Sequence, residues 1–225
     1  FGNPVFSTNL LMRFLIFVVM TTSGLLIPFY LELVQGRPVT QIGWMMLAQP
    51  LSMGIFGPMS GALSDRFGTR GISLIGLILV FVGAAAISTV QPDSTVFEFM
   101  IRLAPIGMGL GMFHSPNNSA VIGSAPPELR GTASGLLALA RTMAQTSGTP
   151  LMGALFFAQA VAFAGLPLGT GLESIPADAL DFGFRMTFRI VAATILVTVV
   201  IGLIGTITQR RDQKPAPVVE NLAAE

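Results

Sequence analysis

No cysteine occurs anywhere in the chain, so disulfides and thiolate metal sites are excluded from the outset. Charge is nearly as scarce. Asp, Glu, Lys and Arg make up 10% of the 225 residues, and their balance is a net +1. A balance so near neutral excludes a broadly basic nucleic-acid binder. So little charge could not cover a soluble domain of this size. Histidine occurs once, as His114. No basic segment precedes the first apolar run, and that run is too long for a signal-peptide core. What fills the chain instead is apolar: 52% of residues are hydrophobic and the mean hydropathy is +0.75. This is the composition of a membrane protein. Because the sequence opens on Phe1 rather than methionine, it reads as a piece of something larger or a processed product.

A bilayer core of ~30 Å needs about 20 apolar residues per helix. On that scale six membrane helices are predicted, over roughly 8–34, 40–63, 71–90, 95–119, 129–160 and 184–208. Transmembrane β-strands would be half as long and would alternate, which these runs do not. The expected fold is therefore all-α, with six spans in residues 1–209 and a polar tail in 210–225. The links are short except 165–183, "GLPLGTGLESIPADALDFG", whose Gly and Pro content suits a loop. Arg66, Arg70, Arg130, Arg210, Arg211 and Lys214 gather on one side, against Arg37, Arg185 and Arg189 on the other. The basic excess places both termini in the cytoplasm. The triplets match in character: the first and fourth spans carry Arg13 and Arg102, the second and fifth carry glycines with a proline, and the third and sixth are uncharged and suited to lipid. That pattern is expected of two inverted three-helix repeats.

Between the second and third spans lies "SGALSDRFGTR", Ser60 to Arg70. Gly68 can take a positive φ and reverse the chain tightly, and Gly61 lets another helix approach closely. Asp65 suits the positive end of a neighbouring helix, an interaction that weakens when that helix moves away. Arg66 and Arg70 can fork onto carboxylates or lipid phosphates. These residues read together as a conformational latch. The stretch Gly61-x-Leu63-x-Asp65-Arg66-Phe67-Gly68-x-Arg70 resembles the signature that links the second and third helices of a six-helix half in the major facilitator superfamily. Further on, Arg102, Gly107, Gly109, Gly111, Asn117 and Asn118, then Pro127-Glu128-x-Arg130-Gly131, Ser134-Gly135, Arg141 and Gly148-x-Pro150-x-x-Gly153, are similar to the fourteen-helix drug:proton antiporters. The last of these matches the antiporter glycine–proline motif only in part. The resemblance implies the carboxy-terminal half of a proton-coupled exporter of amphipathic molecules in a bacterial inner membrane. It also implies no cofactor beyond the proton gradient, and as partners the membrane lipids and an amino-terminal half or a second half-transporter.

Other residues admit two roles each. Arg102 lies about 10 Å past a helix start at Thr95, where Thr-x-x-Glu98 suits a capping box. Arg141 lies about 16 Å along the fifth span from Arg130. Either arginine faces a cavity or ties off backbone carbonyls, whereas Arg13, nearer an end, is expected to snorkel. His114, beside Pro116, Asn117 and Asn118, relays a proton or caps a broken helix. Gln49, Pro50 and Gln145 line a cavity or bond between helices. The run "GMGLG", 107–111, lacks nucleotide-loop spacing and sits in an apolar helix, so close helix packing is expected of it. Twelve methionines and seventeen phenylalanines suit packing, lipid contact or an adaptable drug surface. No acidic residue is expected deep in a span, so the coupling proton rides on His114 or on a carboxylate in a half outside this sequence. Two rivals fit the span count: a membrane interaction module that does not transport, and a rhomboid-type serine protease. The protease needs a Gly-x-Ser-Gly nucleophile, which Ser23-Gly24 (after Thr21-Thr22) and Ser134-Gly135 (after Thr132-Ala133) do not supply, and His114 is out of the expected order.

Overall fold

The computed structural model describes residues 4–167 and 169–212, and within them the chain is helical with no strand. The helices are α1 (Pro4–Leu33), α2 (Val39–Met46), α3 (Ala48–Phe67), α4 (Thr69–Ile87), α5 (Val96–Gly123), α6 (Arg130–Ala164) and α7 (Ala177–Asp212), with short 3-10 turns at Pro127–Leu129 and Leu172–Ser174. Among the described residues, α1, α4, α5, α6 and α7 are each long and apolar enough to cross a membrane. The pair α2–α3 occupies the place of the second span.

That second span is broken, which differs from the single helix expected over 40–63. Pro50 is the cause: its ring has no N–H for the Met46 carbonyl and crowds it. The backbone responds by tightening, with Leu47 N–H donating to the Trp44 carbonyl (3.2 Å) before α3 resumes. The last span also differs. It starts at Ala177 rather than 184 and continues through Asp212, so the acidic stretch expected to be loop contributes its first two turns. The remaining tail, 213–225, lies outside the described residues. Two local expectations are met. Thr95 Oγ1 accepts from Glu98 N–H at the start of α5 (3.2 Å), and Gly68 links α3 to α4 at φ +88°.

Packing follows the repeat. Exchange the first three spans with the last three, and each packed pair finds a counterpart. The contact of α1 with α6 answers that of α5 with α3, α4 with α5 answers α7 with α1, and α6 with α7 answers α3 with α4. The pairs α1–α5 and α4–α7 map onto themselves. Successive spans run in opposite directions, so two three-span units joined end to end are necessarily inverted. At the centre lies α5, and its glycines explain how close its neighbours come. A Cβ on Gly107 would fall 2.2 Å from the Gln49 carbonyl oxygen, one on Gly109 2.4 Å from that of Gly76, and one on Gly111 2.8 Å from that of Met53. Lipid supplies no hydrophobic drive for helices to associate, so backbone approach through small residues is what holds them. The "GMGLG" run is thus a packing notch cut on two sides, towards α3 at 107 and 111 and towards α4 at 109. Ser60 adds a polar tie, its hydroxyl reaching the Gly57 (2.7 Å) and Gly111 (3.1 Å) carbonyls. On the outside, α4 and α7 keep exposed apolar stripes, Ile75, Ile78 and Val82 on one and Leu196, Val197 and Val200 on the other.

Candidate functional site

A basic cluster forms where α1, α5 and α6 meet. Arg13 is 8% exposed and does not snorkel. Its Nε donates to the Leu137 carbonyl (3.2 Å) and its Nη1 to Asn118 Oδ1, while its guanidinium carbon stands 5.1 Å from the centre of the Phe17 ring. Arg141 approaches the same ring at 5.4 Å, and the His114 ring lies 4.9 Å from it. Asn117 is fully buried, with Nδ2 donating to the Asn9 carbonyl (3.3 Å) and Oδ1 (3.1 Å), and its own Oδ1 finds no donor among the described residues. Four residues expected at a cavity, His114, Asn117, Asn118 and Arg141, therefore converge, and Arg13 and Phe17 join them. Sequence reasoning missed that pair because it placed Arg13 near a helix end. In fact α1 begins at Pro4, and Arg13 stands more than two turns inside it.

The depth of the cluster can be measured against α4. Its 19 residues span about 28 Å, close to the hydrocarbon thickness. Gly76 is seven residues, about 10 Å, from its start, and faces the backbone of Met112 and Phe113, next to His114. The cluster thus lies level with a point about a third of the way along α4, counted from Thr69. At 35 residues α6 is about 52 Å long, so its first turns stand clear of the core.

Charge in the cluster is one-sided. Among the described residues the ion pairs are Arg102–Glu98 (2.5 Å) and Arg185–Asp181, both at the opposite end of the bundle. Arg141 is exposed and meets no hydrogen-bond acceptor there. Arg102 stays away from the cluster, since Glu98 and the Thr89 carbonyl (3.1 Å) hold it at the α4–α5 connection. Gln49 contributes its carbonyl to the Gly107 contact, and Gln145 lies half-buried on α6, its carbonyl accepting from Thr149 (3.1 Å). Gly148 packs on Thr21 and Val18 of α1, Gly153 touches Leu25, and Pro150 is exposed on an unbroken α6. Ser23, a nucleophile in the protease rival, is buried with its hydroxyl on the Val19 carbonyl (3.1 Å).

Two further arrangements complete the picture. In the α3–α4 turn Asp65, Arg66 and Arg70 are exposed, Arg66 stacks on Phe67 (5.6 Å), and Asp65 forms no ion pair among the described residues. Gly61 approaches Ser115 of α5, its would-be Cβ at 3.4 Å. At the far end a carboxylate is buried after all. Asp181 on α7 accepts from Tyr30 of α1 (3.0 Å) and from Arg185, and Tyr30 stacks on Phe184 at 4.0 Å.

Such a bundle has known relatives. The sequence pattern of the Major Facilitator Superfamily matches residues 9–223. The chain belongs to the major facilitator superfamily. It is 31% identical over 138 residues to the riboflavin transporter RibZ of Clostridioides difficile, a match covering 61% of this chain and 30% of that protein. Against the tetracenomycin C resistance and export protein of Streptomyces glaucescens it is 29% identical over 129 residues, covering 57% and 24%. Among solved structures it superposes on the inward-open xylose transporter XylE of E. coli with a TM-score of 0.63 at 20% identity, over 89% of this chain and 47% of that one. The chain thus spans less than half the length of these superfamily members. Within the superfamily the six spans form half of the fold, and the Gly61–Arg70 turn sits at its expected place, between the second and third spans.

Proposed function

We propose that the chain forms the carboxy-terminal half of a secondary active transporter that exports drugs or other amphipathic small molecules against proton influx, by alternating access. One observation carries the reading. Arg141 stands exposed within the hydrocarbon thickness, with no acceptor among the described residues. A guanidinium there needs water or an anion, and a cavity between two halves supplies either. The face of α6 around it, with Ser134, Ala138, Thr142 and Thr146 also exposed, suits the wall of such a cavity. Similarity to a tetracenomycin C exporter supports the direction of transport. The remaining wall belongs to an amino-terminal half or a second half-transporter. The setting is a bacterial inner membrane with both termini cytoplasmic, where Arg66, Arg70 and Arg130 satisfy the positive-inside rule. In this reading Asp65, Arg66, Gly68 and Arg70 latch one conformation, Asp65 meeting a helix end of the other half. No bond chemistry and no cofactor is involved, and the proton gradient is the energy source.

The test uses the complete transporter in everted vesicles with an imposed pH gradient and a panel of fluorescent amphipathic solutes. Accumulation that collapses on adding a protonophore is the expected result. Transport of every solute at the same rate with and without the gradient overturns the coupling, and absence of transport for the whole panel overturns the function.

A further inference from the structure

Arg13 and Arg141 approach one aromatic ring, and neither has a carboxylate among the described residues. We propose that the two guanidiniums, gathered at Phe17 beside His114, form a binding site for an oxyanion, the carboxylate or phosphate of a solute that the transporter carries. The inference rests on the transport reading above and narrows its substrate class.

The bland alternative is that both arginines are structural. The rest of the molecule argues against it. Where arginines serve the scaffold, at Arg102 and Arg185, each is paired with a carboxylate four residues away on its own helix. In the cluster two guanidiniums are held near each other within the bilayer core, an arrangement that costs free energy in lipid and gains none from a counter-charge here. Arg13 is fixed in advance: Nε on the Leu137 carbonyl and Nη1 on Asn118 hold its plane, while Nη2 reaches no acceptor among the described residues. Arg141 donates no hydrogen bond there and keeps its whole fork available. Paired forks of this kind take up carboxylate or phosphate oxygens through charge-assisted bonds, which strengthen away from bulk water. Phe17 is itself buried, so its ring positions the two guanidiniums and is not a surface for the solute. An amine would meet only positive charge and be refused.

An oxyanion could also come from another part of the complete transporter, and the experiment separates the two sources. The probes are 2-naphthoate, neutral 2-naphthamide and cationic 2-naphthylmethylammonium, titrated calorimetrically into the purified complete transporter, with thermal stability measured in parallel. If the solute supplies the anion, naphthoate binds at least about tenfold more tightly than the amide. Arg141→Gln and Arg13→Gln each erase that preference, and Arg141→Lys retains part of it. If the protein supplies it, naphthoate shows no preference, and Arg141→Gln lowers the melting temperature by exposing an unpaired carboxylate. Equal binding of the three probes, together with an Arg141→Gln protein as stable as the parent, overturns the proposal. Arg141 is exposed, so its variants fold even if Arg13→Gln does not. Protonophore-sensitive export of neutral or cationic solutes alongside that result would leave the transport reading standing and remove only this one.

Discussion

Gly107→Ala adds one methyl group where α5 meets the break between α2 and α3. That Cβ would sit 2.2 Å from the Gln49 carbonyl oxygen and 2.9 Å from its carbon and Cα, all backbone atoms with no torsion to turn aside. A carbon rests against a carbonyl oxygen at about 3.3 Å, so the two backbones must part by about 1 Å. A gap of that size forfeits roughly a quarter to a half of each dispersion contact along the seam. Overpacking of this kind costs about 1–3 kcal/mol. The control is Gly43→Ala on α2, where no atom lies within 4 Å of the new Cβ. Alanine in an unobstructed helix favours folding by about 0.5–1 kcal/mol over glycine. Thermal unfolding of the complete protein in detergent should therefore place Gly107→Ala below the parent and Gly43→Ala at or above it. Equal stability of the two variants would refute the claim that backbone contact at Gly107 sets the α3–α5 distance.

At the far end, Tyr30→Phe removes one hydrogen bond from a buried carboxylate and should cost about 1.5–3 kcal/mol of stability. Asp181→Asn strips Arg185 of its counter-charge as well, so it should cost more, and the reverse order in the same unfolding assay would show that Asp181 is not the hub. At the turn, if Asp65 meets a partner in one state only, as proposed, Asp65→Asn should slow gradient-driven export from vesicles while membrane insertion is unchanged. Gly68→Val should slow it further, since φ +88° strains a β-branched residue by about 1–3 kcal/mol. Normal export by both variants would remove the latch.

Much of this architecture was legible in the sequence, because hydrocarbon thickness sets helix length and the apolar runs obey it. The Gly68 turn and the Thr95 cap were legible too, since each depends on neighbours in the chain. What escaped depends on register between helices. Pro50 was visible as a proline in the second span, but whether a proline breaks a helix depends on its surroundings: Pro28, Pro105, Pro116 and Pro150 all sit inside continuous helices. Arg13 was misread for a similar reason. Its distance from the start of α1 was underestimated, and nothing local predicts that Leu137 and Asn118, more than a hundred residues away, will receive its donors. Asp181 was assigned to a loop on composition, although one side of its helix turn lies against Tyr30.

The glycine notch has a mechanical consequence. Where α5 meets α3 and α4, backbone approaches backbone at Gly107, Gly109, Gly111 and Gly76, and such contacts leave little room to slide. Close backbone contact makes those three helices the stiffer side of the bundle. Between α1 and α6 the filling includes Phe17, Met20 and Met152, side chains with torsions to spare. If the proposed transport rocks these helices, the softer α1–α6 side yields first. That is the seam spanned by Arg13 through Leu137, so on the proposed reading the strain of a transport cycle converges on the cluster where the charge is held.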